Sequence, residues 1–216
     1  MIRVSSGATL VDVFVTRGER AQHARAIRAA SVVFMAALTA AAAQISIPLP
    51  FTAVPFTLQP MVVLLGALAL GPRLAFASQM LYLAAGIAGL PVFAPSPLLL
   101  PGALRLLGPT GGYLMAYPIA ALVTGWLAER GFDRRYLTSV LAMVAGLVVI
   151  YAGGTLWLAF FARQVVPVAA PLGLGGALAA GVYPFVLADL GKLLIAAGIV
   201  PGLWRLFGYL PSTSKY

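Results

Sequence analysis

The sequence predicts an all-α integral membrane protein, a single bundle of six transmembrane helices with both termini in the cytoplasm. Three observations carry this prediction. The 216 residues are 62% hydrophobic and only 9% charged, against about 45–50% and 25% in soluble domains. Charge-free apolar stretches recur near the roughly 20 residues that a bilayer crossing needs, and Pro, Gly and Arg separate them. Basic residues gather at alternate ends of those stretches. A mean hydropathy of +1.00 excludes a water-soluble enzyme. Zero Cys and a single His leave no thiolate site and no His cluster, so neither a metal nor a cofactor is expected.

The spans fall at residues 27–46, 54–70, 73–90, 111–128, 137–162 and 175–200. The first carries Ala36, Ala37, Ala40, Ala41, Ala42 and Ala43. A face of such small residues admits another helix closely, either within the bundle or from a second protein. The second span has 17 residues, about 26 Å of helix. Its ends at Pro55 and Gly71-Pro72 therefore sit where the bilayer is thin or protein covers them. In the third, Gln79 and Tyr82 share a face at i and i+3 and form the polar pair best placed to meet a ligand. The fourth opens behind Gly108-Pro109-Thr110-Gly111-Gly112-Tyr113, with Thr110 as its expected N-cap. The free N–H groups of such a start can hold an anion, and Arg105 would reinforce that role if its loop folds inward. An ordinary capped turn is the plainer alternative.

Orientation follows from the charges. Eleven of the fourteen basic residues lie in the N-terminal tail, the turn between spans two and three, the loop between spans four and five, and the C-terminus. Only Arg105 and Arg163 lie on the opposite side, which makes both termini cytoplasmic. The net charge of +9 is thereby explained by topology, and no nucleic-acid partner is expected. The chain divides into a cytoplasmic tail over residues 1–26, expected to be loosely ordered over 1–22, a transmembrane domain over 27–204 and a cytoplasmic tail over 205–216. No internal repeat splits the spans into matching halves.

Asp189 and Lys192 lie inside the sixth span. Each charge near the bilayer centre costs about 2.5–3.5 kcal/mol. At i and i+3 they share a helix face that must point into the bundle, either as a self-satisfied ion pair or as contacts for a polar ligand. Gly191-Lys192 is not a P-loop, because Val186 stands where the first glycine belongs and Leu193 replaces the hydroxyl. The lone His23 lies in the tail and no serine occupies a nucleophile elbow, which argues against a membrane enzyme. The first outer loop, residues 47–57, has three Pro, two Phe and no charge. It reads as a lid over a pocket or as an interfacial hairpin.

Several segments, in this order, resemble the BioY family, the biotin-specific substrate-capture components of energy-coupling-factor (ECF) transporters. They are Gln44-Ile45-Ser46-Ile47-Pro48-Leu49-Pro50 with Pro55-Phe56-Thr57-Leu58-Gln59, Gly71-Pro72-Arg73, the stretch from Tyr82 to Phe93, Gly108 to Leu114, and Asp189-Leu190-Gly191-Lys192. The Pro- and Leu-rich loop over residues 91–110 departs from the glycine-rich stretch common in relatives. The resemblance implies a multi-pass protein of a prokaryotic cell membrane that binds biotin on the outer half of the bundle. It implies biotin contacts for Asp189 and Lys192, and a coupling-protein docking face at Ala36 and Ala40, with two ATPases supplying the energy. With the residues read above, the candidate biotin site comprises Asp189, Lys192, Gln79, Tyr82, Arg105, Gly111, Gly112 and Tyr113. A self-sufficient secondary transporter or channel for a small organic anion is the alternative.

Overall fold

Backbone polar groups in lipid must be satisfied within their own segment, and the chain is accordingly mostly helical. The computed structural model describes residues 8–16, 21–95, 102–161 and 173–206. Helix α1 spans Leu10–Thr16, α2 Ala21–Gln44, α3 Gln59–Leu70, α4 Pro72–Ile87, α5 Leu104–Leu107, α6 Gly111–Glu129, α7 Tyr136–Phe160, α8 Gly173–Gly181, α9 Val186–Ala196 and α10 Ile199–Leu206. Among the described residues, four segments are long and apolar enough to cross a membrane: His23–Gln44, Gly111–Glu129, Tyr136–Phe160 and Val186–Leu206.

The expected second span shortens to α3, 12 residues or about 18 Å, because the proline-rich segment before it cannot join the helix. Protein covers α3: Val62, Val63, Leu64, Ala67, Leu68 and Leu70 are all buried. Gly71, at φ 76°, turns the chain directly into α4, a conformation that side chains with a Cβ rarely adopt. Thr9, just before α1, and the backbone around Gly125 from α6 close on this turn from two sides.

The expected sixth span over residues 175–200 is not one helix. It divides into α8 and α9 at Val182-Tyr183-Pro184-Phe185, because Pro184 removes a backbone donor and disfavours helix at the residue before it. The apolar crossing segment lies further along, at Val186–Leu206. The N-terminal tail also differs from its expected looseness. Thr9 caps α1 through Asp12, and Leu10, Val11 and Val13 are buried in the core.

Glycine decides how closely the central helices meet. α6 packs most extensively on α7. A methyl group at Gly112 would overlap Trp157 and the Gly153 carbonyl, and one at Gly154 would overlap the Tyr113 ring. The outer loop pairs Ser46–Ile47 (β1) antiparallel with Phe56–Thr57 (β2), in the register Ser46↔Thr57 and Ile47↔Phe56.

The end of the bundle away from this hairpin carries a polar clasp. The fully buried Asp133 accepts from Trp204 Nε1 at 2.6 Å and from Arg134 Nε at 3.1 Å, while Arg134 also donates to the Ala8 carbonyl at 2.7 Å. Burial raises the Asp133 pKa above the usual carboxylate value, and Arg134 and Trp204 oppose that rise.

Candidate ligand-binding site

At the hairpin end the helices form a cavity of about 300 Å³, at the lower limit for small-molecule sites. The proline-rich segment from Pro48 to Pro60 forms one side and the start of α6 another, with Tyr113, Leu114 and Tyr117. Ile150 and Tyr151 of α7 and Phe185 and Asp189 around the start of α9 complete it, together with Phe93 and Arg105. The lining is apolar and aromatic, with two charged side chains among its few polar groups.

Asp189 is the polar centre of the wall. It is 5% exposed. Tyr151 donates to its Oδ2 at 2.6 Å, and Lys192, one turn on, pairs with its Oδ1. Lys192 also donates to the Thr57 carbonyl at 2.7 Å and holds its ammonium 4.1 Å from the Phe56 ring centroid. The ion pair therefore ties α9 to the hairpin. Phe56 stacks on Phe185 at 6.4 Å, which extends the same tie along the cavity edge.

A second connection lies across the hairpin loop, where Thr52 donates to the Ala180 carbonyl at 2.7 Å. Tyr113 reaches the same turn and donates to the Gly181 carbonyl at 2.8 Å. Arg105, 7% exposed, enters the cavity from α5. Burial lowers its pKa, yet a guanidinium keeps its proton in proteins, so it supplies a fixed positive charge. Asp189 is paired with Lys192, and Arg105 brings a guanidinium to the same cavity.

The sequence model described as the BioY family matches residues 17–209. The chain belongs to the BioY family. It is 41% identical over 172 residues to a probable biotin transporter BioY of Pyrococcus horikoshii, covering 80% of this chain and 93% of that one. It is 39% identical to the biotin transporter BioY of Thermotoga maritima, covering 79% and 91%, and 31% identical to BioY2 of Lactococcus lactis, covering 84% and 90%. The fold is shared with the crystal structure of the S-component for biotin from an ECF-type ABC transporter. That match has a TM-score of 0.73 at 23% identity and covers 87% of this chain and 95% of that one.

Within this BioY fold the sequence-derived candidates separate into two layers. Asp189, Arg105 and Tyr113 line the cavity. Lys192 stands one layer back, behind Asp189. Tyr82 also lies behind the wall, where its hydroxyl accepts from Gln59 Nε2 at 2.7 Å and its ring meets Phe93 edge-on at 5.4 Å. Gln79 is 1% exposed and donates to Thr39 Oγ1 at 3.2 Å, deeper between α2 and α4. Gly111 and Gly112 serve packing. A methyl at Gly111 would strike the Leu106 carbonyl, and Gly112 accommodates Trp157 as described above. Thr110 occupies the N-cap position of α6 without a side-chain capping bond and lines the cavity instead.

The small face of α2 is rotated from the expected one. Within residues 36–43, Ala36 is buried at 8% and packs in the core, Ala40 is half-buried, and Ala37 and Ala41 are exposed. The sequence reading left Tyr117, Tyr151, Phe185, Thr57 and Gln59 out of the site. Thr57 and Gln59 stand in the sequence within the BioY-like segment Pro55 to Gln59, and Tyr151 stands as a single polar residue on an apolar span.

Proposed function

We propose that the chain captures biotin from the outer side of a prokaryotic cell membrane. It passes the ligand inward when joined to a transmembrane coupling protein and two ATPases of the ECF type. The observation that carries this reading is the buried Asp189 carboxylate on the wall of a largely apolar cavity that also holds Arg105. Biotin combines a cyclic urea with two N–H donors, an apolar thioether ring and chain, and a carboxylate. Asp189 suits the urea donors, Arg105 the carboxylate, and Tyr113, Leu114, Tyr117 and Phe185 the apolar body. The names of the curated relatives and the shared fold support the same ligand.

Capture and transport separate in reconstituted vesicles. The chain alone is expected to bind biotin stoichiometrically and to give no gradient-driven flux. Sustained flux by the chain alone would make it a self-sufficient secondary transporter instead.

The charge distribution supports the orientation. Arg25, Arg28, Arg73, Arg130, Arg134, Arg135 and Arg205 lie toward the clasp end, whereas Arg105 lies at the cavity, so the cavity faces outward. Because the sequence holds no cysteine, single cysteines can report this directly. A membrane-impermeant thiol reagent added to intact cells is expected to label a cysteine at position 104 and not one at 135. The reverse pattern would invert the bundle.

The coupling protein docks on the open side of α2, where Ala37 and Ala41 permit close helix approach. Replacing either with Trp is expected to leave biotin affinity within about twofold. The same changes should abolish co-purification with the coupling module and ATP-dependent uptake. Undiminished uptake would place docking elsewhere.

A further inference from the structure

The environment of Asp189 sets what kind of edge a ligand must present. A carboxylate paired with an ammonium is an acceptor only, with about four lone-pair sites. Lys192 engages Oδ1 and Tyr151 engages Oδ2 at 2.6 Å, which leaves about two sites for a ligand. The proton in the Tyr151–Asp189 bond is therefore the tyrosine's only hydroxyl hydrogen, and the phenol oxygen can offer nothing but lone pairs to the cavity. Lys192 directs hydrogens to Asp189 and to the Thr57 carbonyl and is absent from the cavity wall. Tyr151 and Asp189 both line that wall.

We infer that Tyr151 is a specificity-determining residue that fixes Asp189 and forms with it an acceptor-only edge of the cavity, which admits ligands presenting N–H groups and rejects isosteres presenting oxygen there. The inference rests on the reading of biotin as ligand and deepens it. The urea is read through its N–H groups by this wall, and its carbonyl oxygen is not read there. Rejection follows because an oxygen facing two anionic or lone-pair-bearing oxygens leaves buried acceptors opposed and unpaired.

Two measurements test it, both begun by titrating biotin into the parent protein. Absence of binding at that stage would defeat the biotin reading itself. With binding established, two analogues are compared on the unaltered protein. One is a cyclic carbamate in which a urea N–H becomes oxygen, and the other a thiourea in which sulfur replaces the carbonyl oxygen. The carbamate is expected to bind at least thirtyfold more weakly than biotin, and the thiourea within about fivefold. The opposite ranking would overturn the inference.

Tyr151→Phe then supplies the residue assignment. It is expected to weaken biotin about tenfold and to narrow the gap between biotin and the carbamate to below tenfold. In the background of Asp189→Asn the cost of Tyr151→Phe should shrink at least fivefold. An equal cost in both backgrounds, with the gap unchanged, would mean that Tyr151 acts through packing alone. Should Tyr151→Phe fail to fold, Tyr151→Trp, whose indole N–H can still donate to Asp189, is compared instead: a biotin–carbamate gap kept near the parent's supports the assignment, and one narrowed below tenfold overturns it.

Discussion

Asp189→Asn and Lys192→Met are each expected to weaken biotin binding by about 1.5–3 kcal/mol, the range for hydrogen bonds to charged groups. In dissociation constants this is roughly 10- to 150-fold. The two losses arise differently. Asp189→Asn removes the acceptor that faces the cavity, whereas Lys192→Met acts from behind it by releasing both the carboxylate and the Thr57 carbonyl. Removing one partner of a buried pair also costs stability, by about 3–5 kcal/mol where no relaxation occurs. Calorimetry on variants that elute as folded monodisperse protein separates affinity from folding. Parent-like affinity in both variants would make the pair a packing feature.

Gly112→Val is expected to destabilise without touching the ligand. Its side chain would enter the space of Trp157 Cβ and the Gly153 carbonyl. Overpacking of this kind costs about 1–3 kcal/mol, and α6 against α7 is the most extensive helix contact in the fold. The thermal unfolding midpoint in detergent should fall by several degrees, while the fraction still folded binds biotin as the parent does. Weakened binding at an unchanged midpoint would return Gly112 to the ligand site.

The ion pair was legible in the sequence because charge inside an apolar span is costly, and so the chemistry of Asp189 and Lys192 stood out from composition alone. Their division of labour was not. Spacing of i and i+3 puts both on one face but does not say which reaches the cavity, and only packing sets Lys192 against Phe56 and Thr57. Tyr151 escaped notice because a tyrosine in a membrane helix reads equally as interhelical glue or as an interface anchor.

The outward face of α2 and the break in the last apolar stretch are hidden in the sequence for one reason. Residues 36–43 of α2 are almost entirely alanine, so small residues cover nearly every face and the period cannot select the outward one. Residues 175–188 around the break likewise carry no charge, and hydropathy alone passes across the break before Pro184. Proline in that stretch was the available signal for the division. The bundle itself was legible, because membrane crossing demands length and apolarity that sequence displays directly. Burial of the short α3 follows from its neighbours and not from its own residues.

The central claim is that the cavity beside Asp189 is a biotin site. Titration of biotin into the purified, detergent-solubilised full chain tests it most directly, with binding followed by heat. Saturable binding of one biotin per chain is expected, weakened roughly 10- to 150-fold by Asp189→Asn. Absence of saturable heat from folded protein, or binding that Asp189→Asn leaves intact, would contradict it.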